Sequence, residues 1–315
     1  MEYRQLGSSG VKVSEIALGS WLTYGRSVDE RSAADIIHRA YDLGVNYFDT
    51  ANVYAGGAAE EIVGRALRDL PRDTYLIATK VFFPMGDRPN QSGLSRKHIR
   101  DQAEASLRRL GTDYIDIYYA HRYDGETPLA ETLRAFDDLV RAGKVLYIGV
   151  SMWSAAQMME AHAIAEQMNL EKVVVNQPVY NMLDRQIEAE VIPTCQDLGI
   201  AQAVYSPLAQ GVLTGKYAGG KIPPGSRAAD PKREGRFMGP YLQEETLRRV
   251  EHLRAIAEEL GMSMAQMALA FCLRQQNVCC AICGAKRPEQ IEENTAAAGK
   301  SIPQEALQKI DEILS

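Results

Sequence analysis

Three absences bound what this chain can be. It has no apolar run approaching the ~18 residues that cross a bilayer as a helix, and its opening, MEYRQLGSSG, lacks the basic and apolar regions of a secretion signal. It has no positive excess. The formal charge is −6 at pH 7, so the basic footprint of a nucleic-acid binder is missing, although a local cationic patch for a phosphate is still allowed. No G-x-G-x-x-G follows an early strand, which argues against an open dinucleotide-binding sheet. The expectation is a soluble, cytoplasmic protein without nucleic-acid or membrane partners.

Cysteine and tryptophan are scarce, with five and two copies in 315 residues. Three cysteines crowd into NVCCAICGA (277–285), where Cys280 and Cys283 form a C-x-x-C spacing used by metal and redox sites. The run reads as a buried strand, and residues three apart on a strand point to opposite faces. Small buried apolar side chains are therefore expected, not a metal site. The sequon at Asn90 has no use without secretion.

What is present is ordinary globular material, 46% hydrophobic and 24% charged, in a repeating order. Candidate strands are EIALGS (15–20), NYFDTA (46–51), YLIATKV (75–81), YIDIYYAH (114–121), VLYIGVS (145–151), VVVNQPVY (173–180), AQAVYSPL (201–208) and CCAICGA (279–285). Amphipathic helices separate them. In SRKHIRDQAEASLRRLG, Ser95 suits the N-cap, Ile99, Ala103, Leu107 and Leu110 share a face, and Gly111 suits the stop. Eight strands alternating with helices imply parallel pairing through right-handed crossovers, and favour a closed (β/α)8 barrel spanning 1–315 as one domain. The opening 1–14 reads as a hairpin around Ser8-Ser9-Gly10. Two long loops, 82–93 and 209–241, follow the third and seventh strands, at the end where barrels build their sites.

Four polar residues converge at that end. Asp49, Lys80 and His121 close three consecutive strands, and Tyr54 follows Asp49 in the adjoining loop. Each alone has a plain structural use as a turn, surface, rim or packing residue. Together they suit proton donation to a carbonyl. A free phenol has a pKa near ~10; a neighbouring ammonium eases its ionisation, a carboxylate positions the ammonium, and an imidazole orients the substrate oxygen. A barrel glycosidase would need a second carboxylate at a strand end, and strands three to eight offer none comparable to Asp49.

FDTANVY, ATK and AHRYD resemble the catalytic motifs of the aldo-keto reductase family. The resemblance continues through YRQLGSSGVKVSEIALGSW, GVSMWS, NQPVYN, YSPLAQGVLTGKY and GAKRPEQIEEN, and so covers the whole chain. DRPNQSGLSRKHI and the long loop after strand seven point to the branch containing bacterial reductases and voltage-gated potassium channel β-subunits. The resemblance implies reduction of aldehydes, and secondarily ketones, with NADPH held in extended form on the barrel rim. Asp49, Tyr54, Lys80 and His121 would form the catalytic tetrad. Ser151, Asn176 and Gln177 would bind the nicotinamide carboxamide, and Tyr205 would stack on its ring beside Trp21. Ser206, Pro207, Leu208, Ala209 and Gly211 would line the pyrophosphate, with Lys216 nearby. Gly284, Lys286, Gln290, Glu293 and Asn294 would meet the adenosine end. Lys286 and Arg287 would hold a 2′-phosphate, with Lys216 and Arg227 next in line.

The substrate wall would come from Trp21, Tyr24, Phe82, Phe83, Tyr123 and Trp153, with Trp21 and Phe82 foremost because they stand at strand ends. Trp153 opens a helix and serves packing equally well. Tyr205 replaces the Trp common in the channel-subunit branch, and Met152 replaces a frequent Arg; both bear on cofactor affinity, not on the reaction. The same resemblance keeps open an NADPH-binding regulatory subunit with little turnover. It also leaves open self-association and the identity of the carbonyl substrate.

Overall fold

The structure, a computed structural model, describes residues 1–230 and 235–315, without the side chain at 236. Eight parallel strands close into a barrel: β3 (Ile16–Gly19), β4 (Tyr47–Asp49), β5 (Leu76–Val81), β6 (Ile115–Ala120), β7 (Val145–Ser151), β8 (Val173–Gln177), β9 (Ala201–Tyr205) and β10 (Val278–Cys283). The first and last pair with each other, Ala281 opposite Ile16, which removes every free edge. All eight overlap the strands expected from the sequence; the ends trimmed from the longer runs are the residues that turn into the rim loops.

Alternation along each strand sorts side chains into two cores. Tyr47, Ala78, Ile117, Tyr119, Ala203 and Cys280 fill the barrel, whereas Phe48, Ile77, Tyr118, Val204 and Cys283 belong to the layer between sheet and helices. Cys280 and Cys283 thus face opposite ways, and all five cysteines are buried and free. Among the described residues no cluster of three or more His, Cys, Asp or Glu could hold a metal. Within the barrel the Tyr47 and Tyr119 hydroxyls meet at 2.7 Å. Gly149 is required beside them, because a Cβ there would lie 2.4 Å from the Tyr119 ring.

A hairpin of β1 (Tyr3–Gln5) and β2 (Lys12–Ser14) caps the barrel's N-terminal end. Its Leu6 and Val13 join the interior core, and the Ser8 N–H donates to the Gly199 carbonyl at 2.7 Å. The outer ring comprises α1 (Glu30–Asp42), α2 (Ala58–Leu67), α3 (Arg96–Leu110), α4 (Leu129–Arg141), α5 (Ala155–Met168), α6 (Val191–Asp197), α7 (Glu244–Glu259), α8 (Met264–Leu273), α9 (Pro288–Thr295) and α10 (Gln304–Leu314). In α3 the Ser95 side chain accepts the His98 N–H, Gly111 ends the helix at φ +66°, and Ile99, Ala103, Leu107 and Leu110 are buried. No single helix among the described residues is long and apolar enough to cross a membrane.

The two long loops stand on the opposite, C-terminal rim. Segment 82–93 closes on itself through the Gly93 N–H and Phe82 carbonyl, and Asp124 after β6 accepts the neighbouring Leu94 N–H. Segment 209–241 is built from short 3-10 turns, including Ala209–Thr214, Arg227–Ala229 and Gly235–Phe237; residues 231–234 of that loop lie outside the described residues.

Candidate active site

Strand ends and one left-handed turn assemble the four polar residues. Asp49 is the last residue of β4, Lys80 the penultimate residue of β5, and His121 the first after β6. Tyr54 opens the turn Tyr54–Gly57, whose Ala55, Gly56 and Gly57 have φ of 50°, 65° and 102° and fold the chain back over the rim. Lys80 is wholly buried and donates to Asp49 Oδ1 at 2.6 Å and to the Thr50 carbonyl at 2.7 Å. Gln177 donates to the second carboxylate oxygen, Asp49 Oδ2, at 2.8 Å. A buried ion pair keeps its charges only when such extra hydrogen bonds satisfy both ends. The Lys80 ammonium lies 5.1 Å from the Tyr54 ring centroid, and the His121 ring meets Tyr54 edge-to-face at 5.7 Å.

The protonation states differ from one expectation. Burial, then Asp49 and Tyr205, push the Tyr54 hydroxyl well above its ordinary pKa, and Arg122 alone opposes them. The Lys80 hydrogens are directed to Asp49 and Thr50, and burial depresses its own pKa. Tyr54 therefore holds its proton at neutral pH, the state a general acid requires. His121 is driven well below its ordinary value by burial, Lys80 and Arg122, so it is neutral. Among the described residues its Nδ1 has no hydrogen-bond partner, a buried polar atom left for a ligand to satisfy.

Above these groups opens a cavity of about 1010 Å³. Tyr54, Asp49 and His121 lie at one part of its wall, and the start of α9 and the 209–241 loop at another. Trp21 stands over it, its ring 6.3 Å from Tyr205 at 89° and 5.0 Å from Phe237. Leu22, Ala55, Met152, Ser206, Ala209 and Gln210, all on this rim, adopt positive φ without being glycine. Such strain gathers where backbone must be presented to a ligand.

The sequence comparisons agree with this geometry. The profile of the Aldo/keto reductase family matches residues 15–315. The chain belongs to that family. It is 45% identical over 300 residues to a probable voltage-gated potassium channel subunit beta of Arabidopsis thaliana, covering 94% of this chain and 91% of that one. A putative voltage-gated potassium channel subunit beta of Schizosaccharomyces pombe is 44% identical over 322 residues, covering 99% and 93%.

Most residues assigned through the family resemblance line this cavity: Trp21 after β3, and Ser151, Gln177, Tyr205, Ser206, Pro207, Leu208 and Gly211 along β7 to β9 and the loop beyond. Lys216, Arg227, Gly284, Lys286, Arg287, Gln290, Glu293 and Asn294 line it toward α9. Ser151 already donates to the Gln177 carbonyl at 2.8 Å. Asn176 and Ala209 are not brought to the wall. Asn176 is wholly buried and donates to Gln202 Oε1, and Ala209 is wholly buried at the start of the turn Ala209–Thr214.

On the substrate side Tyr24 and Phe83 line the cavity, but Phe82, Tyr123 and Trp153 do not. Phe82 packs edgewise behind Phe83, and Trp153 is buried against Tyr123 at 5.0 Å. Lys80 does not line the cavity either; it is buried and paired with Asp49, which does. Sequence reasoning missed Arg122, Arg26, Gln210 and Thr214, all on the wall. Only Arg122 left a signal, as a cation one residue beyond a strand-end histidine.

Proposed function

We propose that this aldo/keto reductase reduces aldehydes, and secondarily ketones, to alcohols with NADPH. The observation that carries the reading is Tyr54 packed against His121 beside a buried Lys80–Asp49 pair, in a cavity that extends to a cationic far end; burial raises the Tyr54 pKa and lowers that of His121. The residues present fit a dinucleotide. Trp21 and Tyr205 offer aromatic faces, His121 Nδ1 is unpartnered, and Lys216, Arg227, Lys286 and Arg287 supply positive charge for phosphates. When bound, NADPH supplies the hydride.

The protein's own groups do the rest. The substrate carbonyl oxygen sits between Tyr54 and His121, the imidazole donates a hydrogen bond to it, and Tyr54 transfers its proton as the oxygen gains charge. Asp49 and Lys80 are positioning residues that fix the floor. Trp21 and Phe237 cover the site against water. Five free buried cysteines suit a reducing compartment, the cytoplasm.

A second reading, an NADPH-binding regulatory subunit, is favoured by the likeness to the channel beta subunits of Arabidopsis thaliana and Schizosaccharomyces pombe. Repeated turnover of NADPH with simple aldehydes supports the reductase; tight NADPH binding with almost no turnover supports the subunit. Self-association belongs to either reading and is checked by size measurement in solution.

A further inference from the structure

We propose that Arg122 anchors an anionic group of the substrate, so that the carbonyl compounds favoured here carry a carboxylate a few atoms from the reacting carbon. The inference rests on the carbonyl-reductase reading and narrows it to a substrate class.

Arg122 follows His121 directly and lines the same cavity. Its Nη1 donates to the His121 carbonyl at 2.6 Å and to Ser151 Oγ at 3.4 Å, and its charge works against the burial that raises the pKa of the Tyr205 hydroxyl. The guanidinium lies 5.5 Å from the Phe83 ring centroid, and that ring packs on His121 at 4.9 Å. The cation is thus held against the reacting end by backbone, hydroxyl and aromatic contacts.

Its charge is not balanced. Asp49 is engaged by Lys80 and Gln177, and no carboxylate pairs with Arg122 among the described residues. The charges of Lys80, Asp49 and Arg122 sum to one positive at a site whose imidazole is neutral. A guanidinium offers five N–H donors in a fork that matches a carboxylate. The dinucleotide phosphates do not explain it. In the closed order β10-β3-β4-β5-β6-β7-β8-β9, β6, which leads into Arg122, stands diametrically across from β10, which leads into Lys286 and Arg287. Because Arg122 adjoins His121, the anion it holds must be close to the carbonyl.

The test compares 3-carboxybenzaldehyde with its methyl ester, using NADPH and the full chain at low ionic strength. The wild-type protein should prefer the acid in kcat/KM by about tenfold to a hundredfold, the scale of a charge-assisted hydrogen bond. Arg122→Met should abolish that ratio chiefly through KM, Arg122→Lys should keep part of it, and added salt should shrink it. Equal use of acid and ester by the wild type, or a ratio unchanged in Arg122→Met, overturns the anchor and leaves the reductase reading standing. If neither aldehyde is turned over, the reductase reading fails, and binding decides the anchor alone. Benzoate, but not benzamide, should quench the protein's tryptophan fluorescence, and Arg122→Met should lose that response. Benzoate binding that is absent, or the same in both proteins, overturns the proposal.

Discussion

At Tyr54 the hydroxyl keeps its proton because burial and Asp49 both oppose the phenolate. Carbonyl reduction should therefore lose nothing to Tyr54 ionisation through the weakly alkaline range, whereas alcohol oxidation, which needs the phenolate, should rise with pH. Tyr54→Phe keeps the ring and removes the proton; turnover should fall about a hundredfold or more while NADPH binding persists, seen by steady-state rates beside fluorescence titration. Lys80→Met strands a buried carboxylate. It should lose activity and about 3–5 kcal/mol of stability in denaturant unfolding, and Asp49→Asn in the same chain should restore part of the stability but not the activity. At this scale the four chemical residues were legible, because a strand end fixes which rim a side chain occupies. The state of Tyr54 was not. It depends on how deeply the folded loop buries the hydroxyl and how near it brings Asp49. The direction of Arg122 was hidden for the same reason, since a loop residue beyond a strand has no periodicity to orient it.

Between elements, close approach decides the energetics. Gly64 brings α2 onto α3 so tightly that a Cβ would lie 2.2 Å from the Leu110 carbonyl. Gly64→Ala should lower stability by about 1–3 kcal/mol in urea unfolding, despite alanine's better helix propensity; an unchanged midpoint would mean the helices can part freely. At the other rim, Lys286 and Arg287 lead into α9, where the Lys286 N–H is already taken by Gln290 Oε1 at 2.7 Å. The side chains must then carry any selection for a 2′-phosphate. Replacing both with alanine should weaken NADPH about tenfold to more than a hundredfold and leave NADH nearly unchanged in titrations at fixed salt. Strands and capped helices such as α3 were legible because period and cap chemistry agree. The hydrogen bond from Asn176 to Gln202 was not legible, because cross-strand contacts leave no mark in composition, and the 209–241 loop has no period to read.

For the molecule as a whole, acid should be destabilising in a defined way. His98 and His121 both have depressed pKa values, caused first by burial. As pH falls through about 6.5, the unfolded chain binds protons there that the folded chain refuses, so stability declines. His121→Gln should flatten the fall in melting temperature between about pH 7.5 and 5.5; an unaltered slope would mean His121 protonates in the folded state. The barrel was legible from eight alternating units, whereas the cavity depends on loops that follow separate strands, β3 and β9, meeting above it, as Trp21 and Phe237 do. The central claim is that this cavity reduces carbonyl groups. It is tested most directly by following the loss of reduced-nicotinamide absorbance with a panel of aldehydes, for wild type and Tyr54→Phe together. Many turnovers per wild-type molecule, nearly abolished in the variant, are the predicted result; NADPH bound tightly by the wild type but not consumed with any aldehyde would contradict it.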